Sequence, residues 1–159
     1  MGIFIRVDDR LLHGQIICSW VPFIKADALI VASDEAASDA LASEIIESCG
    51  CKALKVIVKR VDDVYSFLAG SLFADRQLIL IVADLKDAMR VYESGMRFAT
   101  LNIGNIHHDD NGLRIAPSVI IDCDDECIIE RLESMGVTID IRDVPGSSPI
   151  PYSIKGKRC

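Results

Sequence analysis

Leu78-Ile79-Leu80-Ile81-Val82 is a run of five consecutive apolar residues from which the fold class of this chain can be predicted. A strand alternates its side chains between two faces, so a run that is apolar at every position predicts a strand buried on both of them. Such strands belong to sheets that helices cover on both sides, and these sheets are mostly parallel. The run therefore predicts an α/β fold.

Similar short runs recur along the whole chain. The further strand candidates are Gly2–Val7, Ala28–Ala32, Leu54–Val58, Ala99–Ile103, Ser118–Ile121 and Val137–Ile141. Helical periodicity falls between them, at residues 12–22, 36–49, 61–69, 85–94 and 124–135. This alternation predicts a single α/β domain with a mostly parallel central sheet of about seven strands and helices on both faces. We expect residues 1–145 to form this domain and residues 146–159 to form an irregular C-terminal tail.

Residues suited to helix ends flank these segments. Side chains that can cap a helix N-terminus precede three of the helices: Ser33 or Asp34, Asp84, and Asp122 or Asp124. Glycines follow four of them, where a left-handed C-cap is predicted: Gly50, Gly70, Gly95 and Gly136.

Composition and charge narrow the classes of function. The 159 residues carry a formal net charge of -7 and no long basic run, which argues against a nucleic-acid partner. No segment approaches the roughly 18 consecutive apolar residues that span a bilayer, and the N-terminus does not resemble a signal peptide. We therefore expect a cytoplasmic protein whose six cysteines are reduced thiols, and their spacing does not match a zinc site.

The loop after the first strand concentrates reactive side chains: Arg6-Val7-Asp8-Asp9-Arg10-Leu11-Leu12-His13-Gly14-Gln15. A neutral imidazole is a nucleophile near neutral pH, and guanidinium groups match the oxygens of a phosphoryl group. A histidine flanked by two arginines therefore favours phosphoryl transfer, with His13 as the acceptor and Arg6 and Arg10 facing the phosphate. A solvated loop histidine beside weak surface ion pairs is the alternative.

His13 also precedes the first predicted helix. The free amides of Gly14, Gln15 and Ile16 are expected to point at a phosphate on the ring, because helix N-termini bind anions. Asp8 or Asp9 is expected to orient the imidazole or to hold an arginine, and the sequence does not choose between them.

Four segments in order along the chain are similar to one known family. The run from Arg6 to Gln15, followed by Trp20, closely resembles the signature of enzyme IIB of the mannose–fructose–sorbose family of the bacterial sugar phosphotransferase system. Residues 29–39 resemble the second strand and acidic turn of that family, residues 101–106 its N-x-G-N loop, and residues 136–145 its closing strand and R-D-V-P ending.

The resemblance implies a phosphocarrier. His13 would accept a phosphoryl group through Nδ1 from a phosphohistidine on enzyme IIA and pass it to a sugar held by the membrane enzymes IIC and IID. Arg6 and Arg10 would be the phosphate-binding arginines. No metal or nucleotide cofactor is implied, because phosphohistidine is already a high-energy donor. The identity of the sugar stays open, as does the choice between a monomer and a homodimer.

Three other functions are weighed against this hypothesis. A regulatory phosphocarrier without sugar transport would have the same sequence features. A metal-dependent hydrolase could use the run His107-His108-Asp109-Asp110, although adjacent residues in an extended loop point apart. A response-regulator receiver domain is disfavoured, because the third and fifth predicted strands lack the terminal Asp and Lys that it needs.

Overall fold

A six-stranded parallel sheet forms the centre of the protein. In the computed structural model, residues 2–70, 73, 75–108 and 112–152 are described. The sheet consists of β1 (Gly2–Asp8), β2 (Ala28–Ala32), β3 (Lys55–Lys59), β4 (Gln77–Val82), β5 (Thr100–Asn105) and β8 (Thr138–Ile141). Their order is β3-β2-β4-β1-β5-β8, and every pairing between neighbours is parallel. The predicted α/β class is confirmed.

The predicted seventh strand of the sheet is wrong. Residues Val119–Ile121 do form a strand, β7, but it pairs antiparallel with the unpredicted β6 (Leu113–Ala116) in a separate hairpin. Only Pro117 and Ser118 connect the two strands, and a connection of that length permits antiparallel pairing alone, because a parallel crossover needs a dozen or more residues. The hairpin joins the end of β5 through a bridge between Ile106 and Val119.

Helices cover both faces of the sheet. They are α1 (Val21–Ile24), α2 (Asp34–Ser38), α3 (Ala40–Glu47), α4 (Val64–Ala69), α5 (Leu85–Glu93) and α6 (Cys123–Ser134). A π-helical segment, Ile16–Trp20, precedes α1, and a 3-10 turn, Val61–Asp63, precedes α4. Ser33, Asp84 and Asp122 cap the N-termini of α2, α5 and α6, which confirms the predicted caps.

Several predicted helix boundaries differ from the structure. The segment predicted at 36–49 is two helices, because Asp39 leaves the helical conformation and its side chain accepts bonds from the amides of Leu41 (2.9 Å) and Ala42 (3.1 Å).

Only two of the four glycines predicted to end helices, Gly95 and Gly136, have the left-handed backbone that was predicted. The exposed Lys25 takes that conformation at the end of α1, with a φ of 56°.

The core lies on both sides of β4, as the run of five apolar residues predicts. Ile79 and Ile81 pack on one face with Trp20 of the π-helical segment. Leu78, Leu80 and Val82 pack on the other face, in the larger cluster to which α4, α5 and α6 contribute. All five residues of the run are fully buried. The central strand is therefore packed on both faces, and the loops that carry the charged side chains follow the ends of this sheet's strands.

The described part of the segment after β8 packs against the domain. Ile150 forms an antiparallel bridge with Ile141, and Ile150 and Tyr152 pack against the core. Residues 153–159 of the expected tail lie outside the described residues, so the division at residue 145 stays a prediction. Within the described ranges, no helix combines the length and the apolar character needed to cross a membrane.

Candidate active site

Asp8 is the centre of a cluster of charged side chains where β1 ends. Its side chain is fully buried and accepts hydrogen bonds from three residues. Arg10 donates from Nε to Oδ1 at 3.0 Å and from Nη2 to Oδ2 at 3.1 Å. The Nε2 atom of His13 lies 3.0 Å from Oδ2. The structure therefore brings together Arg6, Asp8, Arg10 and His13, four of the residues that the sequence singles out.

The Asp8 carboxyl is held in its ionised form. Burial raises its pKa, but hydrogen bonds from Arg10 and His13, together with the charge of Arg6, outweigh burial and lower the pKa below the ordinary value. An ionised carboxylate can only accept hydrogen bonds, so Nε2 of His13 must carry the proton in this contact. In the neutral imidazole the lone pair is then on Nδ1. The network thus leaves Nδ1 as the ring nitrogen that has a free lone pair.

His13 is accessible enough to react. Its side chain is 20% exposed, and the next two residues, Gly14 and Gln15, are already helical ahead of the π-helical segment Ile16–Trp20. The amides of Gly14 and Gln15 belong to the first turn, where amides have no acceptor within the helix. The amide of Ile16 instead donates to the His13 carbonyl at 3.0 Å, so the expectation that it points at a phosphate is wrong.

The loop backbone is under strain beside this histidine. Leu11 has a φ of 56°, in the left-handed region that non-glycine residues seldom adopt. Its amide donates to the Asp8 carbonyl at 2.9 Å, which closes a tight turn. Strain of about 1–3 kcal/mol is typical of functional loops that their surroundings hold in place. The turn returns the chain so that His13 faces Asp8.

Arg6 is inside the protein, behind Asp8. Its side chain is fully buried, and it donates from Nη2 to Asp8 Oδ2 at 2.9 Å and from Nε to the same oxygen at 3.2 Å. Nη1 donates to Asn102 Oδ1 at 2.6 Å and to the Arg142 carbonyl at 3.2 Å. Burial lowers the pKa of the Arg6 guanidinium, and this effect outweighs the neighbouring Asp8 carboxylate, which raises the pKa. By contrast, the Arg10 side chain is 45% exposed.

Trp20 is a core residue, as predicted, and its ring also contacts two arginines, Arg6 and Arg142. It is fully buried, stacks on Phe4 with ring centroids 4.6 Å apart, and donates from Nε1 to the Asp143 carbonyl at 2.9 Å. The guanidinium carbon of Arg6 lies 5.3 Å from its ring centroid and that of Arg142 lies 5.7 Å away. Such cation–π contacts favour a buried guanidinium.

Asp9 points away from His13. Its carboxylate contacts the Asn105 side-chain amide and accepts from the His107 backbone amide at 2.9 Å. Asp9 therefore joins the loop after β1 to the loop after β5. Of the two aspartates that the sequence left open, only Asp8 contacts the histidine.

The two adjacent histidines of the loop after β5, His107 and His108, contact different partners. His107 contacts Asp9 through Nδ1 at 3.1 Å, whereas His108 contacts Asp122 and Asp125. Adjacent side chains of an extended loop point to opposite sides, which explains why the two imidazoles contact different carboxylates. Asp109 and Asp110, the other candidate ligands, lie outside the described residues.

One group of metal-ligand types does occur among the described residues. His108, Asp122 and Asp125 each offer one ligand atom, and these atoms lie within 4.8 Å of one another. Asp122 and Asp125 also form the reciprocal capping box of α6, with bonds of 2.9 and 3.2 Å to each other's amides. A helix N-terminus attracts carboxylates without a metal, and His108 pairs with them. This cluster is accounted for as the cap of α6.

Comparison with known proteins identifies a family. Residues 3–154 match the PTS system sorbose subfamily IIB component. The chain is 30% identical over 145 residues to the N-acetylgalactosamine-specific phosphotransferase enzyme IIB component 2 of Escherichia coli, and the match covers 88% of each chain. It is 26% identical to the mannose-specific EIIAB component of E. coli, covering 87% of this chain and 43% of that one.

A solved structure has the same fold. The N-acetylgalactosamine-IIB component of Streptococcus pyogenes superposes with a TM-score of 0.86 at 26% identity, covering 97% of this chain and 96% of that one. The resemblance that the sequence motifs indicate is therefore confirmed over nearly the whole described chain.

Proposed function

Because this chain belongs to the sorbose subfamily of IIB components, which take part in phosphoryl transfer during sugar uptake, we propose that it carries the phosphoryl group on Nδ1 of His13. The observation that supports this assignment is the 3.0 Å contact between His13 Nε2 and Asp8 Oδ2. Since Nε2 keeps its proton and donates it in a hydrogen bond to the buried carboxylate, Nδ1 is left with the lone pair that attacks phosphorus.

The first transfer moves a phosphoryl group between two histidines. The Nδ1 lone pair of His13 attacks phosphorus on the phosphohistidine of enzyme IIA, a new N–P bond forms, and the donor imidazole leaves with the electron pair of the old one. The His13 ring becomes cationic in this step, and Asp8 stabilises it from the Nε2 side, as an orienting carboxylate does in other imidazole mechanisms. In the second transfer a sugar hydroxyl attacks the same phosphorus, the N–P bond breaks with its electron pair returning to Nδ1 of His13, and the hydroxyl proton passes to a base.

Arg10, Gly14 and Gln15 are proposed to hold the phosphoryl oxygens. Arg10 is half-exposed and its guanidinium is already placed beside Asp8, 3.0 Å from Oδ1, so it can turn one face to a phosphate. The first-turn amides of Gly14 and Gln15 can add neutral donors. Phosphoryl transfer depends mainly on positioning and on compensating charge, which these groups supply.

Arg6 is proposed to act through Asp8. A direct bond to a phosphate would require its guanidinium to leave Asp8 or Asn102, because Nε, Nη1 and Nη2 are all engaged and the side chain is fully buried. Its fixed charge keeps the Asp8 carboxylate ionised and in place. The direct phosphate contact that the sequence predicted for Arg6 is therefore revised in this proposal to an indirect one.

The partners follow from the family. We propose enzyme IIA as the donor and the membrane enzymes IIC and IID, with their bound sugar, as the acceptors. The E. coli mannose relative supports the first of these, since its name joins IIA and IIB in one protein. In this account the protein works in the cytoplasm at the membrane transporter, and the transfer needs no metal or nucleotide because the N–P bond supplies the free energy.

Transfer of labelled phosphate from phosphorylated enzyme IIA tests the proposal. Wild type should become labelled, with a bond that survives alkali and is lost in acid, and His13→Ala should remain unlabelled while staying folded. His107→Ala is the matched control, a histidine on the same sheet edge that should leave labelling unchanged. Labelled His13→Ala, or a large loss in His107→Ala, would contradict the assignment.

A further inference from the structure

We propose that Asn102 is a positioning residue for the phosphorylation of His13, and that it acts together with Gly104 by holding the guanidinium of Arg6. This inference rests on the proposed function of His13 and adds to it the residues that keep its carboxylate partner in place. The sequence gives Asn102 and Gly104 no role beyond a family motif. We call Asn102, Gly104 and Trp20 the Arg6 pocket.

Asn102 can be oriented in only one way. The residue is fully buried, and its Nδ2 atom donates to the Asp140 carbonyl at 3.1 Å and to the Arg142 carbonyl at 3.2 Å, while the Asp140 carboxylate lies 3.3 Å away. Three acceptors on the β8 side fix the amide group, so Oδ1 must face the other way. It accepts from Arg6 Nη1 at 2.6 Å.

Strand register explains the alignment. Arg6 is paired with Asn102 across β1 and β5, and Asn102 is paired with Asp140 across β5 and β8. Side chains at paired positions of neighbouring strands lie on the same face of a sheet, so the three polar residues form one row. A buried guanidinium requires every donor to find an acceptor, and this row supplies one where the interior is otherwise apolar.

Gly104 provides the space that the guanidinium occupies. A Cβ atom added to Gly104 would overlap Cζ and both terminal nitrogens of Arg6. Trp20 also contacts the guanidinium, 5.3 Å from its ring centroid. The Arg6 pocket thus combines a hydrogen-bond acceptor, an absent side chain and an aromatic ring.

The position of Arg6 is transmitted directly to His13. Nε and Nη2 of Arg6 both donate to Oδ2 of Asp8, and this oxygen also contacts Nε2 of His13 at 3.0 Å. If the guanidinium shifts, the carboxylate loses two donors to Oδ2, the oxygen that contacts the imidazole, and Arg10 alone is left to hold it in place. Asn102, Arg6, Asp8 and His13 therefore form one continuous chain of contacts.

Two substitutions disturb this chain by different routes. Asn102→Ala removes the acceptor, and Gly104→Ala fills the space that Arg6 needs. Asn105→Ala is the matched control, because Asn105 lies on the same strand, is also buried and contacts Asp9, with no contact to Arg6. The first readout is the NMR signal of the His13 Nε2 proton in the unphosphorylated full chain. The second is the rate of phosphoryl transfer from phosphorylated enzyme IIA.

We expect Asn102→Ala and Gly104→Ala to weaken the Nε2 proton signal and to slow transfer about tenfold, the loss typical of residues that orient a reacting group from behind. Asn105→Ala should keep both at wild-type values. A folded Asn102→Ala or Gly104→Ala variant that retains the signal and the rate would overturn the inference. Failure of wild type to accept phosphate would overturn the proposed function instead, and the NMR signal would still test the positioning role.

Discussion

Replacing Asp8 by Asn should destabilise the protein strongly, because it leaves Arg6 buried without a counter-ion. The two side chains are both fully buried and lie 2.9 Å apart. Breaking such a pair by removing one partner costs about 3–5 kcal/mol, since the remaining charge stays in a poorly solvated interior. Urea denaturation of wild type and Asp8→Asn, followed by circular dichroism, measures the difference in the free energy of unfolding.

An exposed ion pair provides the matched control. Asp124 lies 3.2 Å from Lys86, with the two side chains 71% and 64% exposed. The same Asp→Asn change there should leave the free energy of unfolding nearly unchanged, because water screens the pair. If Asp8→Asn cost no more than Asp124→Asn, the electrostatic role assigned to Asp8 would be refuted.

The pH dependence of stability in wild type and Asp8→Asn is a second test of the role of Asp8. The pKa of Asp8 is lowered in the folded state, so the unfolded state binds more protons as the pH falls. The stability that Asp8 contributes is present above the ordinary carboxyl pKa of 3.8 and is lost as the pH falls below it, through the lower folded pKa. Asp8→Asn should therefore lose less stability than wild type over this acidic range.

Two further substitutions test other parts of the account. Arg10→Ala should slow phosphoryl transfer about 100-fold, the loss expected when one donor to a developing anion is removed. Arg10→Lys should recover part of the rate. A wild-type rate in the alanine variant would exclude a contact between Arg10 and the phosphate. Lys25→Gly should raise the free energy of unfolding by about 0.5–1 kcal/mol, because Lys25 has a φ of 56° and glycine has no Cβ that would be strained there. Thermal unfolding measures this difference. A lower Tm in the variant would show that the Lys25 side chain makes a compensating contact.

The parts of the fold that local sequence decides were predictable. The apolar run in β4 and the caps at Ser33, Asp84 and Asp122 indicate the α/β class and three helix starts. The hairpin of β6 was not predictable in this way, because the sequence Leu113-Arg114-Ile115-Ala116 of this strand alternates between apolar and polar residues over only its first three positions. Nor was the break at Asp39, where a side chain competes with the helix for backbone amides.

The site likewise contains residues that local sequence indicates and residues that only strand pairing brings together. His13, Arg10 and Asp8 lie within six residues of one another, so the sequence alone indicates their chemistry. Asn102 is 96 positions from Arg6 and meets it only because β1 and β5 are neighbours in the sheet. The burial of Arg6 was also hidden, since a charged residue near a strand end suggests a solvated side chain. Long-range pairing decides these roles, and a single sequence does not display it.

The position of the phosphate on the ring shows whether Nδ1 of His13 is the acceptor atom. The protein can be labelled with ¹⁵N-histidine, phosphorylated by enzyme IIA, and examined by NMR for coupling between phosphorus and each ring nitrogen of His13. We predict coupling to Nδ1, with the Nε2 proton still held by Asp8. Coupling to Nε2, or to a nitrogen of His107, would contradict the account.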